Sequence, residues 1–192
     1  MAQARHLLRR QPLIVATTAS YQGTQATLLA VAVIASDGGL LLDSLVRPAG
    51  PVTGWALARY RLPHAVLRGA PTLATIGGRL DALLDRATLA AWRPWAAQRG
   101  VEAALAAAGR YAHTDRWADV QALYAAYRGG ARRAPPLPGR GVGPHRTAVA
   151  TLNALRAVAG LTALPLPPDT QARPVPSLDD LDLDSDPDDQ ID

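Results

Sequence analysis

The stretch LIVATTASYQGTQATLLAVAVIASD, Leu13–Asp37, holds two apolar β-type runs joined by a small polar turn. Leu13–Thr17 reads as a short buried strand. Thr27–Ala35 is a continuous apolar run, too long for an exposed edge and suited to a central strand. Asp37-Gly38-Gly39 follows at once, and its glycines supply the positive φ that a tight hairpin needs. Leu40–Val46 is then a third strand, closed by Arg47-Pro48. The decisive unit is therefore an antiparallel three-strand meander.

The rest of the chain predicts packing around it. Met1–Gln11 is a basic lead-in expected to fray, and Pro51–Gly69 is irregular, broken by Pro51, Gly54, Pro63 and Gly69. Thr72 can cap a helix over Leu73–Leu84, with Ile76, Leu80, Leu83 and Leu84 on one face. Thr88–Trp92 is a fourth strand candidate. A helix from Pro94 to Ala108 carries Pro at its first turn and Gly109 past its end. Tyr111–Val120 holds a candidate short strand, Gln121–Tyr127 a short helix, and Pro144–Ala159 a last helix stopped by Gly160. A meander followed by alternating helices and strands predicts an α/β fold: a mixed sheet, antiparallel in the meander and parallel beyond it, flanked by helices. The expected organisation is a lead-in (1–11), a domain (12–162), a Pro-rich linker (163–176) and an acidic tail (177–192) too poor in apolar residues to fold alone.

With 192 residues, 48% of them hydrophobic, the chain is long enough for one domain with a real core. It has no Cys, which excludes disulfides and thiolate metal sites. All 20 basic residues are Arg, whose planar fork suits phosphates and carboxylates, although a coding bias accounts for the same usage. Residues 169–192 hold nine Asp against Arg173 alone, a net of −8, while the other 168 residues carry 19 Arg against seven acids, a net of +12. A basic body with an acidic tail points to a polyanion-binding surface or to a tail that folds back on its own body. There is no signal-peptide pattern, and no run approaches the roughly 20 apolar residues of a membrane span, so the expectation is a cytoplasmic protein away from membranes.

At this point IVATTAS, TLLAVAVIASDGGLLLDSLVRP, RGAPTL, LAAW, QALYAAY and GPHRTAVATLNALRAV together resemble the DnaQ-like 3′–5′ exonucleases of the DEDDh type. The resemblance runs from about Leu13 to Ala159 and implies a ribonuclease-H-like fold. Its most specific segments, DGGLLLDSLVRP and APTL, are not catalytic ones. The family's chemistry uses four carboxylates to hold two Mg²⁺ or Mn²⁺ ions, which activate a water and stabilise the leaving oxygen. A His serves as general base. Carried over position by position, the Asp-x-Glu pair of the first strand falls on Ala16 and Thr18, and the Asp of the fourth-strand helix falls near Ala97. The last motif places its His on His145, while its Asp position is Ala150. The resemblance thus implies a site that keeps only its His, with no metal cofactor expected. Asp37 belongs to the far hairpin, Glu102 lies more than a turn past Ala97, and Asp119 alone cannot hold two ions.

Several residues carry two readings each. His145 is a vestigial base or phosphate contact, or an ordinary surface or capping His; His6, His64 and His113 show no ligand spacing. Arg128, Arg132, Arg133, Arg140 and Arg146 are a phosphate-contact patch or a solvated loop, and Arg93 sits between Trp92 and Trp95, which stack on bases or fill the core. The tail recruits a replication or repair partner, mimics DNA as an autoinhibitor, or only solubilises. The resulting expectation is a pseudo-exonuclease that binds nucleic acid, single-stranded DNA foremost, or a protein partner in DNA replication or repair. The alternatives are an active metal-dependent exonuclease with a non-standard site, and a structural or oligomeric scaffold built on an exposed apolar face such as Val101–Ala108.

Overall fold

The structure, a computed structural model, describes residues 1–22, 25–84, 87–111, 117–130 and 135–169. Strand β1 (Leu13–Gln22) pairs antiparallel with β2 (Gln25–Ile34), and β2 pairs antiparallel with β3 (Leu40–Leu45). The other edge of β1 takes β4 (Leu89–Ala91) in parallel, and β4 takes β5 (Trp117–Asp119) in parallel. The sheet is therefore mixed, in the order β3-β2-β1-β4-β5. β1 runs past Thr17 because its β-prone Thr and Ser residues pair with β2 all the way to Gln22↔Gln25.

Around the sheet lie α1 (Ala2–Arg9), α2 (Gly54–Tyr60), α3 (His64–Arg68), α4 (Leu73–Leu84), α5 (Pro94–Ala107), α6 (Val120–Tyr127) and α7 (Pro144–Ala159). One sheet face buries Ile14, Ala16, Ala32 and Ile34 under α7. Farther along the strands, Leu29, Ala30 and Leu45 pack against α2 and α3. Val15, Val31, Val33 and Leu42 point the other way, onto Leu80 of α4 and Val101 and Leu105 of α5. Because Val101 and Leu105 are fully buried, they offer no exposed apolar face for a scaffold.

Two segments differ from expectation. Residues 2–9 form a helix rather than a frayed lead-in: Ala4 and Leu7 are buried against α7, and Arg5 Nε donates to Ala159 O at 2.8 Å. Within Pro51–Gly69 the apparent breakers start helices instead. Thr53 caps α2 by accepting from Ala56 N, and Pro63 precedes α3, where its missing N–H costs nothing. The Pro-rich linker, where described, is bonded to the body: Leu164 N donates to Asn153 Oδ1 and Asn153 Nδ2 donates back to Leu164 O. The acidic tail at 177–192 lies outside the described residues.

Candidate functional site

The period of β1 sends Ala16 and Thr18 to the same face, the one that α7 covers at one end and α2 and α3 at the other. Both are buried. The register shifts between Thr18 and Ala19, where Thr18 faces Ala30 and Ala19 faces Leu28, so Leu29 is the extra residue of a bulge beside the candidate site. Ala150, in the second turn of α7, is 1% exposed and joins Ala16, Trp92 and Val149 in one apolar cluster. His145 stands in the first turn of α7, half-buried. Ala97 is buried in the first turn of α5, which lies on the opposite face and reaches the far half of β1, where Tyr21 Oη donates to Ala96 O at 3.1 Å. Thus Ala16, Thr18, Ala150 and His145 belong to one side of the sheet, while Ala97 approaches the end of β1 from the other.

One acid in this neighbourhood has no counterpart among the residues read from the sequence. Ala16 pairs with Ala32, and Ala32 pairs with Asp43 of β3, so the three form one lateral row on the α7 face. Asp43 is half-buried, and its Oδ1 is buried with no hydrogen-bond partner among the described residues. Burial pushes its carboxyl above the usual aspartate range, and the nearby His145 charge draws it partly back. The signal in the sequence was an Asp inside the apolar strand LLLDSL; what was missing was the register that brings it to His145.

The other acids are occupied elsewhere. Asp37 Oδ1 accepts from Gly39 N inside the hairpin. Asp119 caps α6, accepting from Ala122 N at 2.9 Å, and Glu102 accepts from Gln98 Nε2 at 2.7 Å. Two divalent ions need several oxygen donors, preferably charged. Three alanines and a buried threonine do not fit that requirement, and among the described residues no group of three or more His, Cys, Asp or Glu could hold a metal ion.

The candidate nucleic-acid contacts separate in the same way. Arg93, Arg128 and Arg140 are exposed, as is Trp95 at 57%. Trp92 is buried and its ring lies 5.7 Å from that of Tyr124, so it is a core ring here and presents no free stacking face. Arg146 is spent on backbone carbonyls, with Nε donating to Gly139 O at 3.2 Å and Nη1 to Pro167 O at 2.8 Å. Arg132, Arg133 and His113 lie outside the described residues.

No protein-family model matches the chain, and no curated protein matches it by sequence. Among solved structures it is similar to Exonuclease X in complex with 5′ overhanging duplex DNA, with a TM-score of 0.50 and 19% identity over 79% of this chain and 94% of that one. The fold is exonuclease-like. The five-stranded mixed sheet flanked by helices is the ribonuclease-H-like arrangement that the sequence resemblance implied. No helix among the described residues is long and apolar enough to cross a membrane.

Proposed function

We propose that this chain is an exonuclease-like module that has lost its catalytic metal site and binds a nucleic-acid strand, single-stranded DNA foremost, without cleaving it. The observation that carries the reading is the chemistry of the four positions: Ala16, Thr18, Ala97 and Ala150 are all buried and bring no carboxylate. Ala16 and Ala150 also share an apolar cluster, which disfavours charge there. The exposed Arg93, Arg128 and Arg140, the exposed Trp95 and the basic body supply phosphate and base contacts. On this reading the binding domain spans 12–162, and the acidic tail at 177–192 recruits a replication or repair protein.

The test is binding of a labelled single strand to the full chain at two salt concentrations, with EDTA and then with Mn²⁺. Binding that survives EDTA, weakens steeply with salt and leaves the strand intact supports the reading. Absence of binding at either salt eliminates the nucleic-acid role and leaves a protein partner. A second reading, an active nuclease with a reduced site, is favoured by the buried Asp43 oxygen, which has no hydrogen-bond partner among the described residues, on a carboxyl that feels the His145 charge. Metal-dependent shortening of the 3′ end, abolished by Asp43→Asn and by His145→Ala, would replace the first reading with this one.

A further inference from the structure

The N-terminus of α7, a further candidate rim for a strand, carries His145 and Arg146, both offered by the sequence as phosphate contacts, and the segment 161–169 sits on it. Residues 161–169 turn back from the end of α7 and run toward its start. The segment is anchored by the reciprocal bonds between Asn153 and Leu164 and by Arg156 Nε donating to Thr162 O at 2.7 Å. Its leucines settle where side chains are missing. A Cβ on Gly38 would lie 2.6 Å from Leu164 Cδ1, and one on Gly139 would lie 2.8 Å from Leu166 Cδ1. Both glycines have positive φ, so neither readily becomes another residue.

The segment then delivers a carboxylate. Asp169 Oδ1 accepts from Val142 N at 2.8 Å and, at the limit, from Gly143 N at 3.5 Å. Gly143 is the N-cap of α7, which has no side-chain cap of its own. Gly143 N is one of the N–H groups that a helix start leaves unpaired and that attract anions, and Val142 N lies just before it. One residue earlier, Pro167 O holds Arg146 Nη1. The strap therefore occupies an amide pair and part of a guanidinium fork together, the donor set that a phosphodiester oxygen would use. Asp169 is also the first of the nine aspartates that end the chain.

We infer that residues 161–169 form an autoinhibitory strap, in which Asp169 stands in for a backbone phosphate and must leave before a nucleic-acid strand can engage the start of α7. The inference rests on the nucleic-acid reading proposed above and names the regulation of that same rim. Release frees Val142 N, Gly143 N and Arg146 Nη1 for one phosphate.

The experiment uses the full chain in three forms: unaltered, Asp169→Ala and Asn153→Ala. Asn153→Ala removes both reciprocal bonds to Leu164, so this second variant loosens the strap while keeping its charge and leaving Arg146 and the two amides in place. Two probes are titrated, inorganic phosphate followed by the backbone amide resonances of Val142 and Gly143, and a labelled single-stranded oligonucleotide followed by anisotropy. Both variants should bind the oligonucleotide about 5-fold more tightly, the size of one exposed charge-assisted contact. They should also show phosphate-dependent shifts at the two amides that the unaltered chain lacks. Equal strand affinity in all three forms, with no new amide response, overturns the strap while leaving strand binding standing. A phosphate response in the variants with no strand binding by any form keeps the competition for phosphate and removes the nucleic-acid reading instead.

Discussion

Placing Asp at position 16 asks directly whether the cleft of an exonuclease persists or has closed into core. Ala16 is 5% exposed and packs among Ile14, Ala32, Trp92, Val149 and Ala150, with no cation in that cluster. A carboxyl buried in such surroundings has its pKa raised by up to about 3–5 units, at about 1.36 kcal/mol per unit. At pH 7 the Ala16→Asp variant should therefore lose about 4 kcal/mol, with a further ~1–3 kcal/mol from overpacking at every pH. That is a large share of the roughly 5–15 kcal/mol typical of a domain. The sign with pH follows. The folded pKa lies above the unfolded value of about 3.9, so the charge penalty is absent below that value and grows as pH rises until the folded pKa is passed. Urea denaturation of Ala16→Asp and of the isosteric Ala16→Asn at pH 7 and pH 3 isolates it, because only the Asp variant should recover in acid. A loss at pH 7 no larger than that of Ala16→Asn, or recovery on adding Mn²⁺, would refute the reasoning: the position would then be solvated and able to hold a cation.

Three further predictions test other parts of the structure. Burial raises the Asp43 carboxyl, so its ionised form costs stability. Asp43→Asn should melt higher than the unaltered chain at pH 7, with the gap closing below the unfolded pKa of about 3.9; a lower melting point at pH 7 would assign Asp43 a stabilising partner. Leu7→Ala removes a buried side chain, 8% exposed, from the contact of α1 with α7 and should cost about 2–3 kcal/mol in chemical denaturation, whereas a frayed lead-in would register no change. Gly160 ends α7 at φ 76°, and Gly160→Ala should lower stability by about 1 kcal/mol in thermal melts, since a Cβ is disfavoured in the left-handed region.

What the sequence made legible was whatever depends on local period and punctuation. The unbroken run Thr27–Ala35 marked the central strand, Gly38 marked its hairpin, and Thr72, Pro94 and Gly160 marked helix ends that fall where the structure has them. The short helices were not legible for a physical reason. In α1 only Ala4 and Leu7 are buried among polar and basic neighbours, so its stability comes from docking on α7 rather than from its own pattern. In α2 and α3, Gly54 and Pro63 read as breakers but stand at first-turn or capping positions, where both are tolerated. The candidate site divides along the same line. Ala16, Thr18, His145 and Ala150 were named by their positions against the motifs of the family the sequence resembles, whereas Asp43 needed the lateral register Ala16–Ala32–Asp43, which no local signal carries.

That register also bears on how such a chain can dispense with metal and keep its fold. Four carboxylates converging on one strand end repel one another, and in an active exonuclease the bound cations offset the repulsion. On the proposed reading, alanine at positions 16, 97 and 150 removes that repulsion together with the need for cations, and Ile14, Ala16, Ala150 and Trp92 share one buried apolar cluster. Function on the proposed reading must then move outward, from the floor of the cleft to its rim. The residues left for it are the exposed Arg93, Arg128, Arg140 and Trp95 and the start of α7. Asp43, the acid of the row Ala16–Ala32–Asp43, keeps one oxygen without a hydrogen-bond partner among the described residues and feels the His145 charge. On the proposed reading no metal ion neutralises that carboxylate, which then repels a phosphate arriving at α7. A strand bound there should consequently be held more tightly by Asp43→Asn than by the unaltered chain, whereas a surviving catalytic role for Asp43 requires the same substitution to abolish strand cleavage.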